Sequence, residues 1–393
     1  MTADEWNRLQ SIVDGALDLE PVQWDHYLDK ACGEDSELRR GALALLEAAG
    51  KADDFLLSPI EKRAQNLLQL RDDPGETGPY RIVAKLGEGG MGVVYRAHQT
   101  SPVQRDVALK IIRPGMASPQ LVDRFELERK ALAIMDHPNI ARVFDAGATS
   151  RGFPYLVMEL VEGGNIKAYC EENRLTPRKR IDLMIPVCLA IHHAHHKGVI
   201  HRDIKPANVL VAVYDGNPAP KVIDFGVAKA IESTQIAGPG MTRVGLLVGT
   251  FEYASPEQVE SGPQDVDSRT DIYSLGVLLY ELITGRPPVA DLSLDRQGYS
   301  EIVRRIREER PPRASTLLRD RDAGPELDWI LGKALEKDRQ RRYQTAEALA
   351  LDLRRYLDGE PVEAAPPSAA YRLRKFSVKF KYWIAAAAGP GAL

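Results

Sequence analysis

His201-Arg202-Asp203-Ile204-Lys205-Pro206-Ala207-Asn208, followed by Asp224-Phe225-Gly226, is the stretch whose side chains can do chemistry. Two apolar runs, Val209 to Val213 and Lys221 to Ile223, lie between these segments, joined by Tyr214-Asp215-Gly216-Asn217-Pro218. Asp-Gly between such runs is a hairpin-turn signal. An antiparallel hairpin returns its outer ends to one place, about 5 Å apart. The oxygens of Asn208 and Asp224 are therefore expected to converge on one cation, with Asp203 in reach. A carboxylate able to take a proton, beside a carboxylate and an amide suited to a hard metal, is equipment for phosphoryl transfer.

The pattern H-R-D-x-K-x-x-N followed by D-F-G resembles the catalytic and metal loops of protein kinases, and Lys205 resembles the Ser/Thr-specific version. The closest resemblance is to bacterial eukaryote-like Ser/Thr kinases, over roughly residues 80 to 357. It implies an α+β, two-lobed protein kinase fold: a mainly β N-lobe and a mainly α C-lobe, with ATP in the cleft. By that resemblance Asp203 is the catalytic base and Lys205 neutralises the transferred phosphoryl group. Asn208 and Asp224 hold Mg²⁺, with Mn²⁺ the alternative. His201 and Phe225 are packing residues, stacked with Leu132 and Val143 between the lobes.

The elements that must position these groups follow in order. Tyr80 to Leu86 has a strand pattern and runs into Gly87-Glu88-Gly89-Gly90-Met91-Gly92-Val93-Val94-Tyr95. A lone G-x-G-x-x-G more often marks a dinucleotide fold, but here a strand follows the glycines where that fold has a helix. By resemblance, Leu86, Gly87, Glu88, Gly89, Gly90, Met91, Gly92, Val94 and Ala108 border the ATP site. Lys110, in Val107-Ala108-Leu109-Lys110, serves the α- and β-phosphates, held by Glu128 from a helix spanning Gln120 to Met135. Glu126 would face about 200° away on that helix. Tyr155 to Leu160 reads as a buried strand; the resemblance implies that it leads to the hinge, with Met158 as gatekeeper and the backbone of Glu159 and Val161 on the purine.

A long helical pattern, Arg178 to His196, feeds the catalytic loop. Its His192 and His196 are spaced i,i+4, but no third ligand follows at the spacing of a zinc hydrolase, so they read as shared between core and solvent. By resemblance, Arg202 calls for an anionic partner from the segment between Asp224 and Glu257, where Thr242, Thr234 and Ser233 are phosphosite candidates and Thr242 is preferred. Gly249 to Glu257 resembles the peptide-docking segment, with Phe251 where proline is common and Ser255 where alanine is familiar. Glu257 is expected to pair with Arg342. Asp271, on an apolar helix, is expected to hold the backbone of the catalytic loop, because a buried carboxylate needs hydrogen-bond partners.

The whole chain of 393 residues is 44% hydrophobic and 27% charged, the composition of a soluble globular protein. Its formal net charge of -4 argues against a nucleic-acid partner. The three scattered cysteines and the absence of a basic-then-apolar start predict a reducing, cytoplasmic setting. Residues 1–70 read as a small module of three short helices and 71–79 as a linker. Residues 80–357 read as the kinase domain, and 358–393 as a Pro-rich linker and a basic tail. That tail is either the start of a truncated membrane anchor, a basic contact for anionic lipid, or a solvated end. The expected partners are ATP and protein substrates. A pseudokinase and a small-molecule kinase are the rival readings. The intact set Lys110, Asp203, Asn208 and Asp224 argues against the first, and the docking segment against the second.

Overall fold

The computed structural model describes residues 24–32, 76–89, 92–112, 135–150, 152–225, 251–260, 266–290, 292, 299–318, 324–368, 371 and 375. The chain divides into a unit ending at Gly75 and a unit from Glu76 onward. In the first, the helix α1 spans Trp24–Cys32, with Leu28 and Cys32 buried. This is the second of the three helices that periodicity predicts; the other two lie outside the described residues.

The second unit opens with six antiparallel strands: β1 (Glu76–Thr77), β2 (Tyr80–Gly89), β3 (Gly92–Gln99), β4 (Arg105–Ile112), β5 (Val143–Ala148) and β6 (Pro154–Glu159). Their order in the sheet is β1-β2-β3-β4-β6-β5. Alternation along the strands gives the two faces different tasks. Ala97, Val107, Leu109, Tyr155 and Val157 close a small-lobe core with Tyr80. On the other face Val94 pairs with Lys110, and Ala108 with Met158, in register. There Ala108, Leu156 and Met158 join the core of the large lobe. This second face is where a ligand between the lobes would lie.

The large lobe is helical apart from a three-stranded sheet of β7 (Gly163–Asn165), β8 (Val209–Tyr214) and β9 (Asn217–Val222). The helix α2 (Ile166–Glu172) starts at Asn165, whose side chain accepts the Ala168 N–H. Thr176 caps α3 (Pro177–His196) in the same way, with Pro177 in the first turn. After the short α4 (Pro256–Glu260) comes α5 (Arg269–Thr284), in which every residue from Thr270 to Ile283 is buried. A helix apolar on all sides belongs at the centre of a domain. Around it stand α6 (Tyr299–Glu308), α7 (Ala314–Leu317), α8 (Pro325–Ala334) and α9 (Ala346–Leu357). The expected helix from Gln120 lies outside the described residues, except that Met135 is not helical.

The β8–β9 hairpin matches the expected turn at Asp215-Gly216, but β9 is longer than its apolar run, beginning at Asn217. Pro218 and Pro220 are tolerated because the Ile223 N–H bonds back to Asn208 O, which turns the nitrogens of residues 218, 220 and 222 away from β8.

Residues 359–368, whose composition reads as a linker, lie packed on the large lobe. Val362 is buried, and the Glu363 and Ala364 N–H groups donate to the buried carboxylate of Asp352 at 2.6 and 2.9 Å. The same carboxylate accepts from Tyr343 Oη and Arg355 Nη1. Tyr371 stacks edge-on against Trp329, and Lys375 reaches Glu326 at 2.9 Å. Removing the carboxylate leaves several buried donors unpaired, so Asp352→Ala is expected to cost about 2–3 kcal/mol in urea unfolding and to open 359–368 to proteolysis. An unchanged midpoint would show that the segment is held by other contacts. Among the described residues no helix is long and apolar enough to cross a membrane.

Candidate active site

The catalytic stretch is held from below by one side chain. Asp271, fully buried in α5, accepts the backbone N–H of His201 and of Arg202, each at 2.8 Å. His195, on α3, lies with Nε2 2.7 Å from the same carboxylate. Burial alone would raise the Asp271 carboxyl, but His195 and His201 outweigh it and hold it below the usual carboxylate range. His201 is itself buried, its Nε2 3.1 Å from Ile223 O and its ring 4.7 Å from Phe225. The loop is thus tied both to α5 and to the strand end that delivers Asp224.

Asp203 and Asn208 are joined directly. The Asn208 amide nitrogen donates to Asp203 O at 2.7 Å and to Oδ2 at 3.1 Å, and Lys205 Nζ is 2.9 Å from Oδ2. Asn208 O accepts the Ile223 N–H at 2.9 Å, so the two ends of the hairpin close against each other. One residue on, Asp224 Oδ1 takes Lys110 Nζ at 2.7 Å across the cleft. The structure therefore brings Lys110, Asp203, Lys205, Asn208 and Asp224 together. Glu128 lies outside the described residues.

Two of the backbone positions here are strained. Arg202 (φ 63) and Asp224 (φ 54) are left-handed without being glycine, at a cost of about 1–3 kcal/mol each. The hydrogen bonds around Asp271 and the hairpin end offset it. Arg202 is further fixed through its carbonyl by Gln258 Nε2 at 3.0 Å, while its own Nε is buried and has no hydrogen-bond partner among the described residues.

The glycine-loop residues divide by environment. A Cβ on Gly87 or Gly89 would meet nothing within 4 Å, whereas one on Gly92 would lie 2.1 Å from Ile111 O. Gly92 is therefore required by the close approach of β3 to β4, and the first two glycines leave open space beside the strand. Leu86 and Glu88 are exposed on β2; Gly90 and Met91 lie outside the described residues. At the hinge Met158 and Val161 are buried, and the Glu159 N–H donates to Arg142 O. The Glu159 side chain pairs with Lys221 at 2.7 Å.

Glu257, on α4, meets Arg342 in a bidentate pair at 2.6 and 2.8 Å, both side chains buried. This anchors the Phe251 to Glu260 segment to the base of the lobe. Tyr253 Oη also donates to Glu281 of α5. Residues 226–250, with Ser233, Thr234 and Thr242, lie outside the described residues.

His195 and Gln258 are contributors that sequence reasoning missed. Gln258 reaches the Arg202 carbonyl from 56 positions away and His195 acts through Asp271, 76 positions away, so no local spacing marks either role.

Comparison with known proteins agrees with this arrangement. The sequence matches the protein kinase domain over residues 80–353. It is 39% identical over 298 residues to a probable serine/threonine-protein kinase of Streptomyces coelicolor, covering 75% of this chain and 42% of that protein. It is 38% identical over 290 residues to the serine/threonine-protein kinase PknB of Mycolicibacterium smegmatis, covering 72% of this chain and 44% of that one. The chain thus spans less than half the length of these curated relatives. The crystal structure of the Mycobacterium tuberculosis PknI kinase domain superposes with a TM-score of 0.55 at 26% identity, over 73% of this chain and 98% of that chain. With the two lobes and the lysine, aspartates and asparagine of the cleft in place, and the protein kinase domain matched over residues 80–353, the chain belongs to the protein kinase family.

Proposed function

We propose that this chain is a bacterial serine/threonine protein kinase that transfers the γ-phosphoryl group of ATP to protein hydroxyls. The observation that carries the reading is the convergence of Lys110, Asp203, Asn208 and Asp224 on one cleft between the lobes. Asp203 orients the acceptor hydroxyl and takes its proton. Lys205, already against that carboxylate, lies where it can also neutralise the phosphoryl oxygens. Lys110 holds the nucleotide phosphates, and the Glu159 carbonyl and the Val161 N–H hold the purine beside Met158.

Family membership implies ATP and a divalent metal, and the donor set fits a hard cation. The amide nitrogen of Asn208 is turned onto Asp203, which leaves its oxygen for a metal, and Asp224 already accepts the Lys110 ammonium. Mg²⁺, or Mn²⁺, held by Asn208 and Asp224 would neutralise charge on the phosphates. Arg202, whose Nε has no partner among the described residues, is suited to receive a phosphate on the loop between Asp224 and Glu257, Thr242 before Thr234 or Ser233. The catalytic region is assigned to the cytoplasm, and membrane contact would come from the basic tail.

Full-length protein with γ-labelled ATP, Mg²⁺ and a protein acceptor is expected to label the acceptor. Lys110→Met is expected to lower that transfer by roughly tenfold or more, since the phosphates lose their charge partner. ATP binding without any transfer from wild type, with an acceptor present, would favour a pseudokinase. In the loop, Thr242→Ala should slow autoactivation, and mass spectrometry of active enzyme showing an unmodified loop would remove the phosphate proposal.

A further inference from the structure

The phosphoryl-transfer site leaves unused one buried carboxylate beside the docking segment. Glu281, on α5, has a side chain only 4% exposed, and groups from two other elements meet it. Lys167 Nζ, on α2, donates to Oε1 at 2.6 Å, and Tyr253 Oη donates to Oε2. Tyr253 is held by α5 at a second point, where Ser274 Oγ donates to its carbonyl at 2.7 Å. Burial, and then the bond to Glu281, push the Tyr253 hydroxyl up, which keeps it a donor. Lys167 stands in the first turn of its helix, where a cation opposes the helix dipole. What it gains there comes from the carboxylate and not from α2. The same helix packs on the Pro206–Asn208 turn of the catalytic loop. One ammonium thus links, through Glu281, the helix beside the catalytic turn to the segment that would seat an acceptor.

We propose that Lys167 is a positioning residue for the protein acceptor: by neutralising Glu281 it fixes Tyr253, and with it the Phe251 to Glu257 segment, against the catalytic loop. The assignment rests on the reading of that segment as the surface that docks the acceptor. Without the ammonium, Glu281 is a buried carboxylate with no counter-ion among the described residues, and it must take up a proton or draw in water. Either change weakens the bond that Tyr253 donates. The effect falls on the seat of the acceptor hydroxyl, while Lys110 and Asp224 keep their own pair across the cleft.

The test compares the full wild-type chain with Lys167→Met, Lys167→Arg, Glu281→Gln and the Lys167→Met/Glu281→Gln double variant. Hydrogen exchange is read on the peptide that carries the Ala254 amide, which bonds to Phe251 O at 3.0 Å. In Lys167→Met, exchange there should rise roughly tenfold and stay confined to that segment. The KM for a protein acceptor should rise about five- to tenfold, with kcat and ATP affinity little changed. Lys167→Arg keeps the charge and should restore most of both. In the Glu281→Gln background Lys167→Met should add nothing, because the positioning acts through the carboxylate. Unchanged exchange or an unchanged acceptor KM in Lys167→Met would overturn the assignment. So would exchange raised across both lobes, or an equal effect of Lys167→Met in the wild-type and Glu281→Gln backgrounds. Absence of transfer by wild type would contradict the kinase reading, and the exchange measurement would still decide for or against Lys167 as the residue that fixes the segment.

Discussion

Asp203→Asn is expected to lower the rate of phosphoryl transfer by about 10² to 10⁴, the contribution of a positioned general base, while ATP affinity changes little. The substitution keeps the size of the side chain and removes its ability to accept a proton. Its neighbours Lys205 and Asn208 lie at 2.9 and 3.1 Å from Oδ2, and a neutral amide leaves in place the bonds by which Asp271 holds the backbone of His201 and Arg202. If the nucleotide is held by Lys110 and the hinge, as proposed, binding and turnover should separate. Measuring kcat with a protein acceptor and Kd for ATP on the same preparation checks both halves. Retained turnover would remove Asp203 from the chemistry, and lost ATP binding would mean that the variant had disturbed the cleft.

Arg342→Ala carries the largest expected effect on stability, about 3–5 kcal/mol, because it leaves a carboxylate buried without its counter-ion. Arg342 makes two bonds to Glu257 and further bonds to the carbonyls of Glu336, Lys337 and Arg269. Lysine cannot reproduce that fork, so Arg342→Lys should recover little. The pair also shapes the acid limb of stability. Burial alone would raise the Glu257 carboxyl, but the bidentate guanidinium outweighs it and holds it below the usual range. A carboxylate with a depressed folded-state value stabilises the fold above its unfolded pKa, and that contribution is lost as pH falls through the folded value. Urea unfolding from pH 7 downward should therefore show a shallower acid slope in Glu257→Gln than in wild type. An identical slope in both would show that other carboxylates set it.

The geometry around the cleft was legible where local rules operate. Asp215-Gly216 predicts the hairpin that closes Asn208 onto Ile223, and the carboxylate of Asp271 within an apolar helix predicts a buried acceptor for the catalytic loop. The Glu257–Arg342 pair was legible through resemblance, since 85 positions separate the partners. What escaped was set by tertiary contact alone. Pro218 and Pro220 hide a strand whose tolerance depends on which way each nitrogen faces. The Pro-rich composition after Leu357 conceals a packed segment, because its anchor is a carboxylate on the preceding helix that takes two backbone N–H groups. Gly92 belongs to the glycine motif, yet its small size is required by the Ile111 carbonyl.

The central claim is that this cleft phosphorylates serine or threonine on protein, and the identity of the labelled atom tests it most directly. Wild-type chain, γ-labelled ATP, Mg²⁺ and a protein acceptor would be quenched early, the protein hydrolysed, and the phosphoamino acids separated and mapped. Phosphoserine or phosphothreonine is expected, absent when EDTA is added and greatly reduced in Asp203→Asn. Label confined to inorganic phosphate or to a small molecule, with none on protein, would contradict it.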